Sequence, residues 1–244
     1  KGKPILILTN LRLYAMEGLT LFELLSAVKS AQIPVGANYL STQMGIPPAT
    51  IGRLMRSAEE EGYLVSVSNK GRCITEKGRM YLDEVNSVKA KHVAAEQLIE
   101  YTTQSRASNM KEILEVRRLL EPYAARLACE HMTDADIYEL ESLILARDMD
   151  LRQGKPGAEP DLHLHLLIAK CCGNMAIYHM LTLLLTENNS YILFSNMTNK
   201  LNFSELTKHD KILDAIMRRD AEGAYQAMQA HIDKLLQCVE SYGG

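Results

Sequence analysis

The sequence predicts a mainly α-helical protein in two parts: a small front of three helices and a β-hairpin, and an all-α body. Three observations predict it. Leu, Ala, Met, Ile and Glu dominate the 244 residues, aromatics make up 6% and Trp is absent, a composition that favours helices. Apolar residues recur at helical spacing along most of the chain. Strand-like alternation is confined to one stretch, YLVSVSNKGRCIT at 63–75. The length is ample for one or two cores.

In the front, EGLTLFELLSAVKS places Leu21, Leu24, Leu25 and Val28 on one side of a helix. A short second helix runs to about Met44 and stops at Gly45. Pro47 or Pro48 opens a third, which keeps Ile51, Leu54, Met55 and Ala58 for the core and leaves Ala49, Thr50, Gly52, Arg53 and Arg56 more exposed. Gly62 ends it, and two strands fold around an Asn-Lys-Gly turn. Helix, turn, helix and hairpin is the order of a winged helix-turn-helix. An α-helix fits the major groove of DNA. Thr50, Arg53 and Arg56 are therefore candidates to reach bases or phosphates, and Lys70 and Arg72 on the wing to reach backbone. The blander alternative is a small protein-interaction domain with solvated charges. Charge leans towards DNA: residues 1–90 hold 11 Lys/Arg against 8 Asp/Glu, and the remainder 16 against 22.

From about Thr75 to Gln104 the chain reads as one Pro-free helix bridging front and body, and SRASN at 105–109 marks the boundary. The expected division is a winged-helix domain at 1–85, a helical linker at 86–108 and the body at 109–244. The body opens with the amphipathic MKEILEVRRLLEPYAARLACEHM. Thr133 starts the next helix with Asp134 and Asp136 in its first turn, matching the helix dipole, and that helix runs to Gln153. Helices at about 160–172, 174–195, 204–219 and 221–240 complete a bundle of about six.

No apolar run reaches the ~20 residues of a membrane span. PILILTNLRLY is interrupted by Thr, Asn and Arg and lacks the form of a signal peptide, so a cytoplasmic protein with no membrane partner is expected. Five cysteines at irregular spacing read as reduced thiols rather than a disulfide frame or zinc knuckle.

The chemistry concentrates in EPDLHLHLLIAKCCGN, residues 159–174. At helical pitch Asp161 and His165 lie one turn apart on one face, whereas His163 points elsewhere. Asp161 and His165 can share a metal; His163 cannot join them, and further ligands must come from other helices. Cys171 and Cys172 diverge around the helix and read as packing.

EVRRLLEPYAARLA, DLHLH, CGN at 172–174, KHDKILDAIMRRDAEGA and AMQAHI together resemble, in order and spacing, the FCD ligand-binding domain of the FadR subgroup of GntR-type bacterial regulators. The resemblance covers about 110–240. It implies a divalent metal, such as Zn²⁺, Ni²⁺ or Mn²⁺, held by Asp161, His165, His209 and His231, with open positions for a small carboxylate effector. It also implies Arg117 as a carboxylate clamp, with an i,i+4 pair to Glu121 as the alternative, and Asn174 at the effector site, with helix capping as the alternative. The front departs from the family: Gly36-Ala37-Asn38 and Pro48-Ala49-Thr50-Ile51-Gly52 stand where Ser-Glu-Arg and Arg-Thr-Pro-Val-Arg are usual. The family's operator sequence therefore does not transfer, and Arg53 and Arg56 offer a different readout.

The leading expectation is a transcription regulator, not an enzyme, that binds operator DNA as a homodimer and responds to an organic acid at the metal. The alternatives are a metalloenzyme using the same ligands to activate water, and a regulator whose metal is only structural.

Overall fold

The computed structural model describes residues 20–104, 107–155, 157–185 and 209–242. The chain divides into two compact units, Lys1–Ala94 and Ala95–Gly244. The apolar stretch at 4–14 lies outside the described residues, as do the expected helical segments 186–195 and 204–208.

The front is a winged helix-turn-helix. Helix α1 (Leu21–Ala31) starts in a reciprocal capping box: the Thr20 hydroxyl accepts from the Glu23 amide, and the Glu23 carboxylate accepts from the Thr20 amide. Helix α2 (Ala37–Met44) ends at Gly45, whose φ of +67° turns the chain towards α3 (Pro48–Glu60). Pro48 opens α3 at its first helical position, where no amide is needed. Leu24, Leu25, Leu40, Ile51 and Met55 fill the core, so the apolar faces read from the sequence are the buried ones.

Strands β1 (Leu64–Ser66) and β2 (Arg72–Ile74) form the wing as an antiparallel pair, with Ser66 opposite Arg72 and Leu64 opposite Ile74. Val35 adds a bridge on the far side of β2: its amide donates to the Arg72 carbonyl and its carbonyl accepts the Arg72 amide, at 3.0 and 2.9 Å. Gly71 permits this approach. A Cβ there would stand 2.5 Å from the Val35 carbonyl, and φ is +119°.

Two expected DNA-contacting residues are differently placed. Thr50 is buried rather than exposed, because in the first turn of α3 it shares the inward face with Ile51 and Leu54. Arg72 does not project freely from the wing; its Nε donates to Glu59 of α3 at 2.7 Å. Arg53, Arg56 and Lys70 are exposed as expected.

Helix α4 (Glu76–Thr103) begins where the Thr75 hydroxyl accepts the Gly78 amide. Leu82 packs in the front core and Leu98 against a core cluster of the body. Six helices of the body follow among the described residues: α5 (Ala107–His131), α6 (Asp134–Arg152), α7 (Ala158–Cys171), α8 (Met175–Leu185), α9 (Asp210–Met217) and α10 (Ala221–Tyr242). The capping box expected at Thr133 and Asp136 opens α6. Helix α10 lies along α5, and Leu140, Leu164, Ile168, Ile216 and Met228 fill the core between helices. The cysteines are free thiols: Cys129, Cys172 and Cys238 are buried, Cys73 and Cys171 partly so. No described helix is long and apolar enough to cross a membrane.

Gly71→Ala is expected to destabilise the chain by about 2 kcal/mol or more, through backbone strain plus the clash with Val35. Gly52→Ala in α3, where a Cβ meets only the Ala37 Cβ at 3.8 Å, is expected to stabilise by about 0.5–1 kcal/mol. Urea unfolding of the two variants reads the opposite signs.

Candidate metal centre

Five body elements contribute polar groups to one dry spot. Helix α5 supplies Arg117 and Glu121, α6 supplies Arg147, and α7 supplies Asp161 and His165. His231 comes from α10, and His209 stands at the N-cap of α9. An N-cap normally spends its side chain on the first-turn amides, but the His209 ring makes no such bond. Its carbonyl closes the first turn instead, accepting from Ile212 and Leu213.

The three imidazoles each offer one ring nitrogen, all within 4.8 Å of one another. Their ring centroids lie 5.4 Å (His165–His209), 5.2 Å (His165–His231) and 4.5 Å (His209–His231) apart. Asp161 adjoins them, with Oδ1 3.3 Å from His209 Nε2 and Oδ2 3.9 Å from His165 Nε2. Arg147 Nε lies 2.8 Å from Asp161 Oδ1 and forms an ion pair with it. Gly157, at φ +64° ahead of α7, leaves room for this pair: a Cβ there would press on the Arg147 side chain at 3.2 Å.

Glu121 decides the tautomer of His165. Burial pushes the Glu121 carboxyl upward, but the Arg117 guanidinium and the His165 ring outweigh it and hold the group at about 2. An ionised carboxylate only accepts, so His165 Nδ1 donates to Glu121, and Nε2 is the ring nitrogen left for the site. Burial holds His209 down to about 3, outweighing the nearby Asp161, and holds His231 well below the ordinary imidazole value. Both are neutral near pH 7.

Among the described residues, His165 Nε2 and both ring nitrogens of His209 and His231 are buried with no hydrogen-bond partner. Orphaned buried nitrogens are costly to a fold. Three clustered imidazoles beside a carboxylate are a donor set for a divalent transition metal, so the residues present fit the expected ion.

The structure brings Asp161, His165, His209 and His231 together and leaves His163 exposed. Arg117 forms the i,i+4 ion pair with Glu121 one turn on. Asn174 is exposed and accepts the Ala176 and Ile177 amides at 3.0 and 3.3 Å, so it caps α8 instead of facing the buried site. Sequence reasoning missed Arg147 and the Glu121–His165 contact. A signal existed for Arg147, which continues the buried face of Leu140 and Ile144.

Metal-free protein is expected to lose stability as pH falls below about 6.5. The unfolded chain then takes up protons that folded His209 and His231 refuse, down to about pH 3 for His209, at about 1.4 kcal/mol per pH unit for each. Urea titrations at about pH 7 and about pH 5 measure the slope, and His209→Leu is expected to flatten it. An unchanged slope in that variant contradicts a neutral buried His209.

The FCD domain family matches residues 112–234. Two relatives share 29% identity: the HTH-type transcriptional regulator LutR of Bacillus subtilis over 55% of this chain, and the Uxu operon transcriptional regulator of Escherichia coli over 52%. The matched stretches span 64% and 52% of those proteins, about half to two thirds of their length. Among solved structures, the Listeria monocytogenes regulator Lar, described as controlling expression of the agr system, aligns over 99% of this chain and 98% of its own, with 10% identity and a TM-score of 0.50, a likeness of fold. A Streptococcus agalactiae GntR structure aligns over 89% of this chain and 97% of its own, with 22% identity and a TM-score of 0.46. With the family match extending over half of the chain and a winged helix ahead of it, this chain belongs to the FCD family in the GntR-type arrangement.

Proposed function

We propose that the chain is a transcription regulator that binds operator DNA as a homodimer through its winged-helix front and senses a small carboxylate at a divalent metal in its body. The observation that carries the sensing is the group of orphaned imidazole nitrogens of His165, His209 and His231 beside Asp161. For the front, support comes from exposed Arg53 and Arg56 on α3 and Lys70 on the wing, and from relatives named as transcriptional regulators.

Charge points to the class of effector. The set holds two buried guanidiniums, Arg117 and Arg147, against two carboxylates, buried Glu121 and partly buried Asp161. It is balanced when the imidazoles are neutral. A dication held by Asp161, His165, His209 and His231 would supply Lewis acidity and an excess charge of two in a dry interior. Burying that excess is unfavourable, and one or two carboxylate groups offset it. Arg117 and Arg147 flank the set and favour an anion over a neutral ligand. Metal and carboxylate are thus coupled ligands, each raising the affinity of the other by the same factor. If the carboxylate prefers one arrangement of the DNA-binding fronts, the same linkage makes operator affinity depend on it.

Calorimetric titration of zinc into the protein, with and without succinate, tests the coupling. Affinity is expected to rise at least about tenfold with succinate and not with its uncharged diamide. His165→Ala is expected to abolish metal uptake and His163→Ala to leave it intact. Equal uptake by both variants contradicts the metal assignment. Selection of duplexes from a random pool, followed by gel shift with and without metal and succinate, tests the DNA reading. Retention of no duplex in any state contradicts it.

A further inference from the structure

The Glu59 carboxylate, near the C-terminal end of α3, holds both strands of the wing. Oε2 accepts Arg72 Nε of β2 at 2.7 Å. Oε1 accepts the Ser66 amide of β1 at 3.1 Å and also the Ser66 hydroxyl. Ser66 and Arg72 face each other across the hairpin, so one carboxylate grips the two partners of a single ladder position. These hydrogen bonds and the Arg72 charge keep Glu59 ionised, below the usual carboxylate range. On the far edge of β2 the Arg72 backbone is bridged to Val35. Arg72 is therefore anchored by its main chain to one neighbour and by its side chain to another.

We propose that Glu59 is a positioning residue for DNA reading: it ties the wing to α3, so that Lys70 on the wing and Arg53 and Arg56 on the helix meet DNA as one rigid surface. This rests on the DNA-binding reading above. Rigid spacing between two contact elements gives specificity, because a duplex that fits one element only gains little from the other. The brace also neutralises Arg72. That withholds a wing cation from phosphates, which attract it on any sequence. Glu59 thereby favours operator over random DNA in two ways: it fixes geometry and suppresses sequence-independent attraction.

The neighbouring Glu60 is exposed and carries the same charge on the same turn of helix, so Glu60→Gln is the control for charge alone. Hydrogen exchange on the full chain without DNA reads the brace directly. Glu59→Gln and Arg72→Gln are expected to speed exchange of the wing amides from Val65 to Cys73, and Glu60→Gln to leave them unchanged. With a selected operator duplex and a scrambled one, Glu59→Gln is expected to lower the operator-to-scrambled affinity ratio about tenfold. It is also expected to steepen the salt dependence by about one phosphate contact, a slope of ~0.9, as Arg72 is released. Arg72→Gln loses discrimination without the steeper slope. Equal wing exchange in Glu59→Gln and Glu60→Gln overturns the brace, whether or not any duplex binds. Faster exchange with an unchanged affinity ratio overturns its role in reading DNA, and failure of the wild-type chain to retain any duplex removes the underlying reading.

Discussion

The body is organised around one buried carboxylate. Glu121 lies within α5 with Arg117 one helical turn before it and His165 of α7 across the helix interface. A lone carboxylate in such surroundings costs several kcal/mol, and the fold tolerates it only because both partners are held against it. The constraint works in the other direction as well. Without Glu121, Arg117 would be a buried cation with its principal counter-charge removed, and His165 would be free to turn or change tautomer. The approach of α5 to α7, the ring orientation of His165 and the dry setting of its Nε2 follow from one side chain.

The same device appears beside it, where Arg147 of α6 holds Asp161 of α7 and Gly157 gives the pair space. It stops at His209 and His231. Their rings are as buried as the core leucines, yet no protein group satisfies their nitrogens among the described residues. Apolar side chains of similar volume would stabilise the bundle more, since they would fill the space without desolvating a polar edge. A bundle that places two such rings beside a fixed third and a carboxylate trades stability for an unmet capacity to bind. That capacity is the physical content of the site, and stability of the metal-free protein is where its cost shows.

Much of this was legible in the sequence because helical periodicity is a geometric rule. Spacing alone put Asp161 and His165 on one face and His163 off it, and the apolar positions of α1 and α3 named the front core. Periodicity says nothing about which helices meet, so His209 and His231 came only with the resemblance of several separated motifs to a known domain. The errors have local causes. Thr50 looked polar and therefore exposed, but in the first turn of α3 its position falls on the inward face. Arg72 looked like a free wing cation, but its partner Glu59 lies thirteen residues earlier, on an element whose distance from β2 the sequence does not state. Arg147 was passed over although it continues the buried face of Leu140 and Ile144 in α6.

The two carboxylates that organise the chain sit in opposite dielectric surroundings, and this separates what each can respond to. Glu121 and its partners are dry, so dissolved salt screens them little and only a ligand entering the bundle alters their balance. The Glu59–Arg72 pair is partly exposed, with side chains 29% and 26% accessible, so counterions compete for it directly. The hold of Glu59 comes from several bonds on one carboxylate, two from Ser66 and one from Arg72, so losing one of them to a counterion leaves the wing tied to α3. Glu121 meets no such competition, because it is buried away from the counterions that surround an exposed pair.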